Sequence, residues 1–127
     1  VCGICNVLVD GRAVRSCLML AVQAEGRQIR TVEGLSEGDK LHPIQEAFME
    51  EHGLQCGFCT AGFMMALCEL LENRANPGEE EIKEVLGGQI CRCTGYKFSA
   101  GDENQQKVIS VIRELIDERL RVLGGDR

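Results

Sequence analysis

The sequence predicts an α+β chain, a β-rich head followed by a four-helix bundle. Three observations predict it. Short apolar stretches broken by glycine turns fill residues 1–38, and apolar residues recur at helical spacing through 39–127. The cysteines fall into two groups, one beginning in each part. We take 1–38 and 39–127 as the two domains.

In the head, Val7-Leu8-Val9 leads into Asp10-Gly11, a dipeptide that favours a hairpin turn, and the chain returns through Arg12 to Val14. Gln28 to Val32 roughly alternates polar and apolar residues, as a third strand would. Three strands bury little without a covering helix or more strands. The chain also opens on Val1-Cys2-Gly3 with no initiator Met and a cysteine pair already begun. The expectation is that N-terminal strands, and with them any targeting segment, are missing.

Pro43 suits the first turn of a helix whose apolar side is Ile44, Ala47, Phe48 and Met49, with Gly53 as its stop. A second helix over roughly 61–73 carries Phe63, Met64, Met65, Leu67, Leu70 and Leu71. Only Glu69 and Glu72 interrupt its apolar surface, so it should lie buried in the bundle. Asn76-Pro77-Gly78 is a turn, Glu79-Glu80-Glu81 favours a helix N-terminus, and Gly87-Gly88 ends that third helix. A fourth, about 104–123, has Val108, Val111, Ile112, Leu115, Ile116, Leu120 and Leu123 on one face, read as a bundle face.

Composition narrows the function. The net charge is −6, aromatic residues are 4 %, and there is no basic stripe, which argues against a nucleic-acid surface. No apolar run reaches the roughly 18 residues of a membrane span. Phosphate-binding glycine loops, Gly-x-Ser-x-Gly and His-Glu-x-x-His are all absent, so no independent catalytic site is expected. His42 and His52 form no Cys-x-His pair, and His52 reads as a residue capping a helix C-terminus.

Seven of the 8 cysteines form the groups Cys2-x2-Cys5-x11-Cys17 and Cys56-x2-Cys59-x31-Cys91-x-Cys93. A Cys-x2-Cys pair brings two thiolates on one turn to a single metal centre, and a second pair closes a four-thiolate site. Gly3 and Gly57 inside the pairs let backbone N–H groups approach the sulfurs. Such close spacing makes awkward disulfides. Structural zinc and an iron–sulfur cluster fit the second group equally on spacing alone. Cys68, alone on the second helix, reads as core.

The residues around the cysteines break that tie. Cys2-Gly3-Ile4-Cys5-Asn6-Val7-Leu8-Val9-Asp10-Gly11, ending at Ser16-Cys17-Leu18, resembles the plant-type ferredoxin loop. Gln55-Cys56-Gly57-Phe58-Cys59-Thr60-Ala61-Gly62 and Cys91-Arg92-Cys93-Thr94-Gly95-Tyr96 resemble the iron–sulfur subunit of the molybdenum hydroxylases. That family includes xanthine dehydrogenase, aldehyde oxidoreductase and carbon monoxide dehydrogenase. The resemblance runs from Val1 to Tyr96 and includes Leu41-x-Pro43-Ile44-Gln45-x-Ala47-Phe48. The family usually has Ala and Thr where this chain has Ile4 and Asn6, and Pro where it has Ala61. Lys97 to Gln106 is mostly polar where the family runs into an apolar helix, so it reads as an insertion or a splice.

The resemblance implies a plant-type ferredoxin-like β-grasp domain, N-terminally incomplete here, followed by the helical domain, with one [2Fe–2S] cluster in each. Cys56, Cys59, Cys91 and Cys93 would hold one cluster. Cys2, Cys5 and Cys17 would hold the other, with its fourth ligand upstream of Val1. Gln55 and Cys93 would lie against the pterin, and Arg92 would be structural. A molybdenum–pterin cofactor would sit on a large subunit and FAD on a medium subunit, in a dimer of heterotrimers with this chain as the wire between them. The expected compartment is the cytoplasm, where thiolate clusters are assembled, with export of the folded complex as the alternative. Two loaded clusters, each carrying about −2, would take the charge to about −10, which further disfavours nucleic acid. A zinc-stapled interaction module and a stand-alone two-cluster ferredoxin are the competing readings.

Overall fold

The computed structural model describes residues 1–93, 110, 112–114 and 117. Strands β1 (Asn6–Val9) and β2 (Arg12–Arg15) form the hairpin expected from Asp10-Gly11. Both turn residues have positive φ, 50° and 80°, as a two-residue turn matched to the strand twist requires. Asp10 also caps the neighbouring chain: its carboxylate accepts from the Gln28 N–H at 3.0 Å and from Arg27 Nη1 at 2.9 Å. Those donors hold the Asp10 carboxyl below its ordinary range, the Gln28 N–H first.

Strand β3 (Ile29–Arg30) pairs antiparallel with β1, giving the order β2-β1-β3. It is shorter than the expected Gln28–Val32, because Val32–Leu35 winds into a 3-10 turn that drives Leu35 into the core. Two further 3-10 turns, Ser16–Leu18 and Ala21–Ala24, fill a region in which only strands were expected.

Helix α1 (Pro43–Glu50) starts as Pro43 predicts. His42 is its N-cap: Nδ1 accepts from the Ile44 N–H at 3.2 Å, and Gln45 Oε1 accepts from the His42 N–H at 2.8 Å. Its C-terminus corrects an expectation. His52, not Gly53, takes the left-handed position, at φ 52°. The His52 N–H donates to the Met49 carbonyl and the Gly53 N–H to Phe48, a Schellman closure. Gly53 packs close beside Phe48, where a Cβ would stand a tight 3.0 Å from the ring. A side chain at positive φ costs about 1 kcal/mol. His52→Gly is therefore expected to stabilise the protein by about 0.5–1 kcal/mol, read as a higher urea midpoint; an unchanged or lower midpoint would contradict this.

Helix α2 (Thr60–Asn73) is buried along most of its length, as its composition predicts. Helix α3 (Glu79–Gly87) begins with the three glutamates, and Glu81 accepts from the Gly78 N–H at 2.9 Å. Of the expected fourth helix, residues 110, 112–114 and 117 are helical and Ile112 is fully buried. Arg113 pairs with Glu79 on α3. The remainder of that apolar stripe, and Lys97–Gln106, lie outside the described residues.

Leu8 of β1 and Leu35 share one buried cluster with Ile44 and Phe48 of α1, Met65 and Leu67 of α2, Ile82 and Leu86 of α3, and Ile112. The architecture is a small sheet laid on helices, α+β. Arg30 with Glu72, and Arg12 with Glu69 at 3.8 Å, tie the sheet to α2. These pairs lie at the surface and contribute about 0–1 kcal/mol each.

Candidate metal centres

The hairpin explains the long spacing inside the first cysteine group. Asn6 lies opposite Arg15, so one step further out Cys5 lies opposite Ser16, whose N–H donates to the Cys5 carbonyl at 3.2 Å. The following 3-10 turn carries Cys17 back to Cys5, and the two thiols hydrogen-bond. Cys2 lies within electrostatic reach of Cys17. The Cys17 backbone N–H and thiol lower the Cys5 pKa, while the bond to Cys5 and burial raise that of Cys17.

The second group is built at the N-terminus of α2. Cys59 is its N-cap, and the Phe63 N–H donates to the Cys59 carbonyl. The Cys56 thiol accepts from the Phe58 backbone N–H and pairs with Cys93, and both bonds hold its pKa down. The Cys56 backbone favours the Cys93 thiolate, but the paired Cys56 thiol and desolvation outweigh it and push Cys93 up. Burial, then the hydrogen bond with Cys91, pushes Cys59 up to about 12.

Gly3 and Gly57 have the same φ of 82°, each directly after the first cysteine of its pair. In the second group that left-handed turn brings the Phe58 N–H onto the Cys56 sulfur. Among the described residues no group of three or more His, Cys, Asp or Glu is arranged to hold a metal ion; the thiols meet two by two. Cys56–Cys93 and Cys59–Cys91, with Cys56 in electrostatic reach of Cys91, are the donors a two-iron centre takes, two thiolates per iron. The residues present fit the cluster.

Gln55 Nε2 reaches the Cys93 carbonyl at 3.5 Å, so these two exposed residues share a face of the second group. Cys68 is a core residue, 1 % exposed, and burial raises its thiol to about 11. His42 and His52 cap helix α1. Asn6 and Gly62 lie within the two cysteine-bearing segments and Gln89 lies two residues before Cys91, but none is a ligand type, and only their spatial meeting shows that they join the two groups.

The thiol order has a measurable consequence. In metal-free protein at pH 8, iodoacetamide should label Cys5 and Cys56 ahead of Cys59 and Cys68, because a lowered pKa leaves more thiolate at that pH. A mass-spectrometric time course in which Cys59 reacts first would contradict the geometry.

Residues 31–99 match the family model of a [2Fe-2S] binding domain. The chain is 62 % identical over 97 residues to the nicotine 6-hydroxylase small subunit of Paenarthrobacter nicotinovorans, covering 76 % of this chain and 58 % of that protein. Against the xanthine dehydrogenase iron-sulfur-binding subunit of Escherichia coli O157:H7 the identity is 50 % over 102 residues, covering 76 % and 62 %. The chain thus spans about three-fifths of the length of these relatives. The crystal structure of quinoline 2-oxidoreductase from Pseudomonas putida 86 superposes with a TM-score of 0.76 at 44 % identity, over 93 % of this chain and 70 % of that one. Among the described residues no helix is long and apolar enough to cross a membrane. Paired thiols on glycine-bearing turns, the domain match and these relatives converge: the chain belongs to the [2Fe-2S]-binding iron–sulfur subunits of the xanthine dehydrogenase and aldehyde oxidoreductase family.

Proposed function

We propose that this chain is the electron-transfer part of a molybdenum-dependent oxidoreductase. It relays single electrons from a molybdenum–pterin site on a large subunit to FAD on a medium subunit while substrate is hydroxylated. The observation that carries this reading is the pairing of thiols in both cysteine groups, on turns of the same glycine geometry.

Cys56, Cys59, Cys91 and Cys93 would hold one [2Fe–2S] cluster. Cys2, Cys5 and Cys17, with a fourth ligand, would hold the second. A [2Fe–2S] centre supplies one-electron transfer when bound. The protein's part is to supply N–H donors and fix orientation. The Phe58 N–H already aimed at Cys56 offsets thiolate charge, and the N-terminus of α2 at Cys59 adds positive backbone dipole. Both favour the reduced, more negative state and raise the potential.

Gln55 and Cys93 would face the pterin, since both are exposed on one side of the second group. Residues 1–38 would be a ferredoxin-like β-grasp unit and 39–127 a four-helix bundle, packed through the shared core around Leu8 and α2. The assembly would be a cytoplasmic dimer of heterotrimers. Affinity purification of the full-length protein from its native host tests this: molybdenum and FAD should copurify with the iron. Iron recovered without either cofactor would favour a stand-alone ferredoxin.

A further inference from the structure

Asn6 and Gln89 bear no metal-ligating group, yet each is only 6 % exposed, and they meet between the two cysteine groups. Asn6 Nδ2 donates to Gln89 Oε1 at 3.0 Å and to the Gly62 carbonyl at 3.2 Å. The Gly62 carbonyl fixes this orientation, since a flip would turn Oδ1 onto it, and Asn6 Oδ1 is left buried with no hydrogen-bond partner among the described residues. On one side of this contact the Ile90 N–H donates to the Cys2 carbonyl at 2.8 Å. On the other, Arg15 Nη2 donates to the Gly88 carbonyl at 2.7 Å. A Cβ on Gly3 would collide with the side-chain amide of Gln89, and the backbones of Gly62 and Gly3 are closely apposed, since a Cβ on Gly62 would collide with the Gly3 carbonyl.

We propose that Asn6 and Gln89 are positioning residues for electron transfer, clamping the first cysteine loop onto the segment that leads into Cys91 and so fixing the separation of the two cysteine groups. This rests on the two-cluster reading above. Apolar packing at this junction would bury similar area but allow the loops to slide. A buried amide pair does not, because shifting it strands polar groups away from water. Tunnelling between centres falls steeply with distance, so a fixed spacing is what a relay requires. The surface pair of exposed Arg12 and half-buried Glu69, 3.8 Å apart, also ties the sheet to α2 but lacks that directionality and serves as the comparator.

The test uses the intact complex, reduced with dithionite and frozen for electron paramagnetic resonance. Two reduced clusters at one separation give a defined spin–spin splitting. Asn6→Ala and Gln89→Ala are expected to lose or smear that splitting with iron content unchanged, while Arg12→Ala keeps it. Deuterium exchange of the peptide containing Ile90 should quicken about tenfold in the two clamp variants, as loss of one buried hydrogen bond implies. Should Asn6→Ala fail to fold, Gln89→Met decides, because it keeps the volume and removes the acceptor. Splitting and exchange identical to wild type in a folded clamp variant would overturn the clamp. A wild-type spectrum with one cluster signal would instead overturn the two-cluster reading, and the clamp's role in electron transfer with it.

Discussion

Gly62→Ala is expected to destabilise the protein by about 3 kcal/mol and to detach the first cysteine loop from α2. Gly62 lies in the buried first turns of α2, where Ala would ordinarily favour the helix by about 1 kcal/mol. Here the added methyl would enter the Gly3 carbonyl and stand 2.8 Å from Ile4 Cα, and both obstacles are backbone atoms. Neither can rotate away, so the loop must shift and carry Cys2 and Cys5 with it. The Asn6 bond to the Gly62 carbonyl and the Ile90 bond to Cys2 would go as well. Urea unfolding of the variant checks the magnitude. A loss below about 1 kcal/mol would show that the loop accommodates the methyl, contrary to this packing.

The second large effect separates ligand from core cysteine. On the proposed ligand set, Cys91→Ala is expected to remove the cluster at the second group while the first group keeps its iron. Cys91 is 7 % exposed and paired with Cys59, so its loss leaves one iron short of a thiolate and cannot be made good by solvent alone. Cys68→Ala, at a site 1 % exposed and remote from both groups in sequence, is expected to keep all the iron and cost about 1 kcal/mol in packing. Iron analysis and the visible spectrum of the two variants check the contrast. Equal iron in both would contradict the assignment of Cys91.

Features set by local chemistry were legible from sequence. Asp10-Gly11 folds as the hairpin its dipeptide dictates, α2 is buried as its near-continuous apolar surface demands, and Glu79-Glu80-Glu81 opens α3. Cysteine spacing marked the two groups, but the thiols that meet, Cys5 with Cys17, Cys56 with Cys93 and Cys59 with Cys91, cut across the Cys-x2-Cys spacing. Features that depend on distant partners were not legible. Ser16–Leu18 forms a 3-10 turn that brings Cys17 to Cys5, a partner across the hairpin, and nothing in those three residues announces it. His52 takes the positive φ that glycine usually takes, with Gly53 one residue later packed beside Phe48. Asn6 and Gln89 are 83 positions apart, and two ordinary amides carry no signal that they meet.

The central claim is that both cysteine groups hold redox clusters. Its most direct test is low-temperature electron paramagnetic resonance with spin counting on the dithionite-reduced full-length protein, with iron and zinc measured on the same sample. The account predicts two distinct signals totalling about two spins per chain, with iron and no stoichiometric zinc. A protein silent in resonance with zinc bound to its thiols would contradict it.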